Sequence, residues 1–235
     1  MTRLLIHVEG ETEETFVNEL LADHLYRKGY TAVSARLLGN SRQRSRRGGI
    51  RSWRTVRGDI LRHLKEDPNC LATTMVDYYA LPQGADDGWP GRHKAAGLAF
   101  FMKAASVEEA VAKDIIANTQ EMGALSRFFP FVMMHEFEAM LFSDCERFAS
   151  GVAQPGLASA FQTIRDQFSS PEEINDSPIT APSKRIEGLV PGYVKPLYGT
   201  LAALEIGLDA IRAQCPHFRS WLEQLESWPE RRASL

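Results

Sequence analysis

The residues best placed to do chemistry are carboxylates that end apolar runs. Glu9 follows Leu4-Leu5-Ile6-His7-Val8, Asp77 follows Cys70-Leu71-Ala72-Thr73-Thr74-Met75-Val76, and Glu136 and Glu138 follow Phe131-Val132-Met133-Met134-His135. Each run is short and largely apolar or β-branched, and the spacing changes after it, so each reads as a buried strand that stops at an acid. In open parallel sheets the carboxyl ends of the strands form the edge where ligands bind. Three acidic strand ends brought to one such edge suit a hard divalent cation, Mg2+ or Mn2+, which takes oxygen ligands and keeps room for water and phosphate. The chemistry would be in-line displacement at a phosphodiester. Glu136 and Glu138 lie two apart, so one of them is expected to face Asp77; Glu136, which directly extends the strand, is marginally preferred. His135 reads equally as a hydrogen-bond partner for a carboxylate and as a metal ligand.

A substrate of matching charge is suggested by the segment from Asn40 to Arg57. Arg42, Arg44, Arg46, Arg47, Arg51, Arg54 and Arg57 occur there without an acidic residue among them. Such a run repels itself unless it meets an anion, and guanidinium groups suit phosphate. Trp53 would add an aromatic face on which an unpaired base could stack. Arg42, Arg44, Arg46, Arg47, Arg51, Trp53 and Arg54 form the expected nucleic-acid-binding set, while Lys184, Arg185 and Lys195 further along read as ordinary solvated cations rather than as phosphate contacts.

The elements that must position these groups alternate. Strands are expected near 3–9, 31–38, 71–77 and 129–135, the last with Pro130 near its start. Phe16, Val17, Leu20, Leu21, His24 and Leu25 form a helical stripe after the first strand, with Thr12 as its cap, and Trp53, Val56, Ile60, Leu61 and Leu64 form another before the third. Ser106-Val107-Glu108-Glu109 has capping-box spacing and opens a crossover helix before the fourth strand. The expected fold is therefore α/β, a mainly parallel four-stranded sheet at residues 1–143 with helices on both faces. Residues 144–235 read as an α-helical appendage built on stripes such as Leu157, Phe161, Ile164 and Phe168.

Composition removes several function classes. A chain of 235 residues with a formal charge of −3 has room for one α/β domain and an appendage. No apolar run is long enough to span a bilayer, and Arg3 with the short run Leu4 to Val8 after it does not make a signal peptide, so a cytoplasmic protein is expected. Cys70, Cys145 and Cys215 have no C-x-x-C spacing and read as reduced core thiols. There is no G-x-G-x-x-G and no G-x-x-x-x-G-K-[ST], so glycine-rich phosphate cradles are excluded, and Ala139 excludes the H-E-x-x-H zinc helix.

With these residues in view, the chain resembles the Toprim (topoisomerase–primase) domain, and more distantly the overcoming-lysogenization-defect nucleases. Val8-Glu9-Gly10-Glu11-Thr12-Glu13, Met75-Val76-Asp77-Tyr78-Tyr79-Ala80-Leu81-Pro82, His135-Glu136-Phe137-Glu138-Ala139-Met140-Leu141-Phe142 and Cys215-Pro216-His217-Phe218 look closer still to a Toprim-like bacterial family often encoded beside an ABC- or AAA-type ATPase in defence loci. The resemblance implies a Mg2+- or Mn2+-dependent nuclease or nickase acting on DNA or RNA with an ATPase partner. Glu9 would be its general acid/base or first metal ligand, and Asp77 the first residue of the D-x-D pair. Tyr79 stands at the second position of that pair, which departs from the pattern. Either Glu136 or Glu138 completes the site, or the chain is a non-catalytic nucleic-acid sensor or partner-binding subunit.

Overall fold

The computed structural model describes residues 2–38, 51–84, 86–119, 127–174, 177 and 179–233. Arg42, Arg44, Arg46 and Arg47 lie outside the described residues.

The fold is α/β around a parallel sheet. β1 (Arg3–Val8) pairs in parallel with β2 (Ala32–Leu37) on one side and with β3 (Cys70–Asp77) on the other. β3 is buried at every position, which is why its sequence runs apolar rather than alternating. The expected fourth strand is present in two pieces. β4 (Phe128–Phe129) pairs with Ala72 and Thr73, and β5 (Val132–Met133) pairs with Val76 and Asp77. Pro130 has no N–H to give the ladder, so pairing lapses there. The Thr74 hydroxyl bridges the lapse, donating to the Phe131 carbonyl at 3.0 Å and accepting its N–H at 2.9 Å. The sheet order is β2-β1-β3-β4, with β5 also on β3.

Helices cover both faces, as the alternation of stripes requires. On one face, α1 (Glu11–Phe16) continues through a π-helical turn at Val17–Leu21 into α2 (Ala22–Arg27), placing Phe16, Val17, Leu21 and Leu25 over Leu4, Ile6 and Val8. On the other face, α3 (Trp53–Glu66) supplies Val56, Ile60 and Leu64. α4 (Arg92–Ala95) precedes α5 (Phe100–Ala117), which adds Val107, Val111 and Ile115 against Ala72 and Val76. α5 begins ahead of Ser106, so the anticipated capping box falls inside the helix. Thr12 is likewise inside the first turn of α1, and Gly10 is the N-cap.

The C-terminal third consists of α6 (Cys145–Gly151), α7 (Ala158–Arg165), α8 (Pro182–Leu189), α9 (Thr200–Ile206), α10 (Leu208–Gln214) and α11 (Pro216–Ala233). Its apolar residues share one core with β1 and α1. Trp221 of α11 stacks on Phe131 at a centroid distance of 4.5 Å, and its Nε1 donates to the Thr73 hydroxyl at 2.9 Å. Burying that indole against the sheet removes much apolar area from water, and the hydrogen bond satisfies its one polar atom. Among the described residues no helix is long and apolar enough to cross a membrane. The three cysteines are buried free thiols; burial pushes those of Cys70 and Cys145 up to about 11.

Candidate functional site

Parallel pairing of β1 with β3 carries Glu9 and Asp77 to the same sheet edge, because both acids continue strands that run in one direction. The Asp77 backbone N–H lies 3.4 Å from Glu9 Oε2. Asp77 is buried, and its Oδ1 accepts the Phe137 N–H at 2.9 Å, fixing the carboxylate against the chain that leaves β5. That chain enters a 3-10 helix at Phe137–Ser143, which carries Glu138 inward to complete burial. Glu136 points elsewhere: its Oε2 accepts the Ser183 N–H at the start of α8, at 3.0 Å. Both line the same cavity of about 320 Å³ with Glu9, Asp77 and Tyr79, but Glu138 is the one that meets the Asp77 group.

Two residues of the cluster were not legible in sequence as site residues. Glu13 reads as a first-turn acid complementing the helix dipole, yet it is buried; its Oε2 accepts the Gly10 N–H at 3.0 Å. Lys195 reads as a solvated cation, yet its ammonium stands among the acids. Its Nζ lies 3.0 Å from Glu138 Oε2, 3.2 Å from Asp77 Oδ2 and 3.5 Å from Glu13 Oε1. The one sequence signal was its setting, Pro-Gly-Tyr-Val-Lys-Pro, where the structure begins a π-helical turn at Lys195–Gly199.

The electrostatics follow from burial and crowding. Burial pushes Glu9 up to about 7, with Lys195 opposing and Glu13 adding to the rise. Burial also raises Asp77 and Glu138, again against the pull of Lys195. For Lys195 burial acts downward, but Asp77, Glu138, Glu13 and Glu9 outweigh it and hold the ammonium well above its ordinary value. One cation thus faces four carboxyl groups, and the surplus negative charge needs protons or a further cation. Among the described residues, Glu138 Oε1 is buried without a hydrogen-bond partner, and so is the neighbouring Tyr193 hydroxyl oxygen.

These groups are hard oxygen donors of the type magnesium and manganese prefer. As they stand, however, they surround an ammonium: among the described residues no three His, Cys, Asp or Glu side chains are gathered closely enough to hold one ion. His135 is engaged otherwise, its Nδ1 lying 2.9 Å from the Ile174 carbonyl oxygen. The Cys215-Pro216-His217-Phe218 segment has a structural task, since Glu172 accepts the His217 and Phe218 N–H groups at the start of α11, both at 2.9 Å.

The arginine-rich segment is described only from Arg51 onward. Trp53 corrects an expectation: it is buried, lies 4.9 Å from Trp89 ring to ring, and donates from Nε1 to Asp114 Oδ2 at 2.7 Å, so its face is not open to a base. Its place on the 53, 56, 60, 64 stripe explains this, because that stripe packs on the sheet. Arg57 pairs with the same Asp114 at 3.2 Å. Arg54 is exposed on α3, and Arg51 is half-buried beside Trp89, whose Nε1 donates to the Arg51 carbonyl at 3.2 Å.

Fold and site together define a class: a parallel α/β protein whose sheet ends in a buried carboxylate cluster neutralised in part by one lysine. The chain belongs to the family described as "Domain of unknown function (DUF4276)", whose model matches residues 8–226. No curated protein and no solved structure matches it.

Proposed function

We propose that the acidic edge is a divalent-cation site for phosphodiester hydrolysis and that the chain is a nuclease-like subunit acting on DNA or RNA. One observation carries the reading: Glu9 and Asp77 share the C-terminal edge of adjacent parallel strands with a fully buried Glu138, one oxygen of which has no hydrogen-bond partner among the described residues. Glu9, Asp77 and Glu138 would have to draw together from their present spacing around Lys195 to hold Mg2+ or Mn2+, with Glu136 at the rim of the same cavity. The ion would supply an activated water and charge stabilisation at the phosphate. Burial raises the Glu9 carboxyl to about 7 in the metal-free chain, which would suit a general acid/base role if Glu9 stays outside the ion's ligand shell. Asp77 is oriented by the Phe137 N–H, which leaves its Oδ2 directed into the cluster. The arginines from Arg42 to Arg54 would hold the polyanion, and an ABC- or AAA-type ATPase is the partner that the Toprim-like resemblance implies.

A second reading, a non-catalytic nucleic-acid sensor or partner-binding subunit, draws on Lys195, which already neutralises part of the cluster, and on Tyr79 at the D-x-D position. A Mn2+-dependent cleavage assay on single-stranded DNA, duplex DNA and RNA, with and without the ATPase, separates the two. The wild type should cleave, and Glu9→Gln should lose roughly 100-fold or more of that activity while binding the same nucleic acid. Binding without metal-dependent cleavage on any substrate would favour the sensor.

A further inference from the structure

Lys195 is a candidate for more than neutralisation. Its three carboxylate contacts come from α1, from the end of β3 and from the 3-10 helix after β5, while the lysine comes from a fourth element. We propose that Lys195 is an internal counter-cation competing with the divalent ion for these carboxylates, so that the metal-free chain is closed by its own ammonium. This rests on the divalent-cation reading above.

Geometry supports a competition rather than a shared site. The oxygens nearest the ammonium, Asp77 Oδ2 and Glu138 Oε2, belong to two of the groups that would ligate the metal. A magnesium ligand shell has bonds of roughly 2.0–2.1 Å, whereas the acid oxygens lie 3.0–3.5 Å from Nζ, so they must draw in to surround the ion. An ammonium left at that centre would repel the ion at contact distance.

The lysine is also the partner able to leave. Its side chain is 34% exposed, whereas those of Asp77, Glu13 and Glu138 are 6%, 2% and 0% exposed. A flexible four-carbon stem can swing to solvent. The flanking Val194 and Leu197 are more than half exposed, at 52% and 53%, so the outer side of the segment faces solvent.

The test is Mn2+ titration of the full-length, EDTA-stripped protein by calorimetry. Lys195→Gln should bind Mn2+ roughly tenfold or more tightly than wild type, because the competing charge is gone. Lys195→Arg and the exposed Lys184→Gln should stay near wild type. The wild type gives a second readout that needs no variant: mass-spectrometric footprinting with an amine-reactive reagent should show Lys195 labelling increase several-fold when Mn2+ is added. Equal or weaker Mn2+ binding by Lys195→Gln beside a binding wild type overturns the competition and leaves the metal site standing. So does unchanged Lys195 labelling in Mn2+-bound protein. Absence of Mn2+ binding in both wild type and Lys195→Gln overturns the competition and the divalent-cation reading together.

Discussion

Substituting Glu9 by glutamine should make the protein more stable at alkaline pH, even as it removes a group proposed to act in catalysis. Burial raises the Glu9 carboxyl from 4.5 to about 7 in the folded chain. A raised folded-state value means that the folded form holds its proton after the unfolded chain has released it. The associated stability is complete below 4.5 and is lost as pH rises through about 7. The gap corresponds to about 3 kcal/mol at most. Glu9 keeps some solvent contact, which screens part of this, so a difference of about 1–3 kcal/mol is expected. Glutamine holds the same shape without the charge. Urea unfolding of wild type and Glu9→Gln in EDTA at intervals from pH 4 to pH 9 should give matching stabilities at the acid end. At the alkaline end the variant should be ahead by that amount. Two curves that stay parallel across the range would refute the reasoning, because Glu9 would then be as well solvated folded as unfolded.

Three further outcomes concern other parts of the chain. Trp53→Ala should cost about 3–5 kcal/mol in chemical denaturation, as loss of a buried aromatic, while a still-folded variant should bind nucleic acid with the wild-type salt dependence. Replacing Arg44, Arg46 and Arg47 together by alanine should flatten that dependence, by about 0.7–0.9 in log–log slope for each phosphate no longer neutralised, in a salt-titrated binding assay. Gly91→Ala should destabilise by about 1–3 kcal/mol in thermal or urea unfolding, since Gly91 has φ +77° and an added Cβ would sit 2.8 Å from the Ser106 carbonyl oxygen.

Much of the fold was legible because β1 and β3 are covered on both faces, which demands near-continuous apolar runs, and each ends where an acid needs the sheet edge. The break in the fourth strand was half visible: Pro130 marks it, but the Thr74 hydroxyl that spans it belongs to a neighbouring strand. Glu13 and Lys195 were hidden for a different reason. A first-turn glutamate and a loop lysine are usually solvated, and only tertiary packing brings Lys195 to an acid 118 positions away. Trp53 stands among arginines in the sequence, but the helical stripe it begins turns it into the core. The choice between Glu136 and Glu138 depended on the 3-10 helix, which turns the second acid inward and leaves the first to meet α8.

The proposed function requires the edge formed by Glu9, Asp77 and Glu138 to take a divalent cation. Its most direct test is anomalous diffraction from crystals of the wild-type protein equilibrated with millimolar Mn2+. A manganese peak bounded by these three carboxylates, with the Lys195 ammonium withdrawn, is the predicted result. Crystals in which Lys195 keeps its ion pairs and no manganese peak lies at the cluster would contradict it.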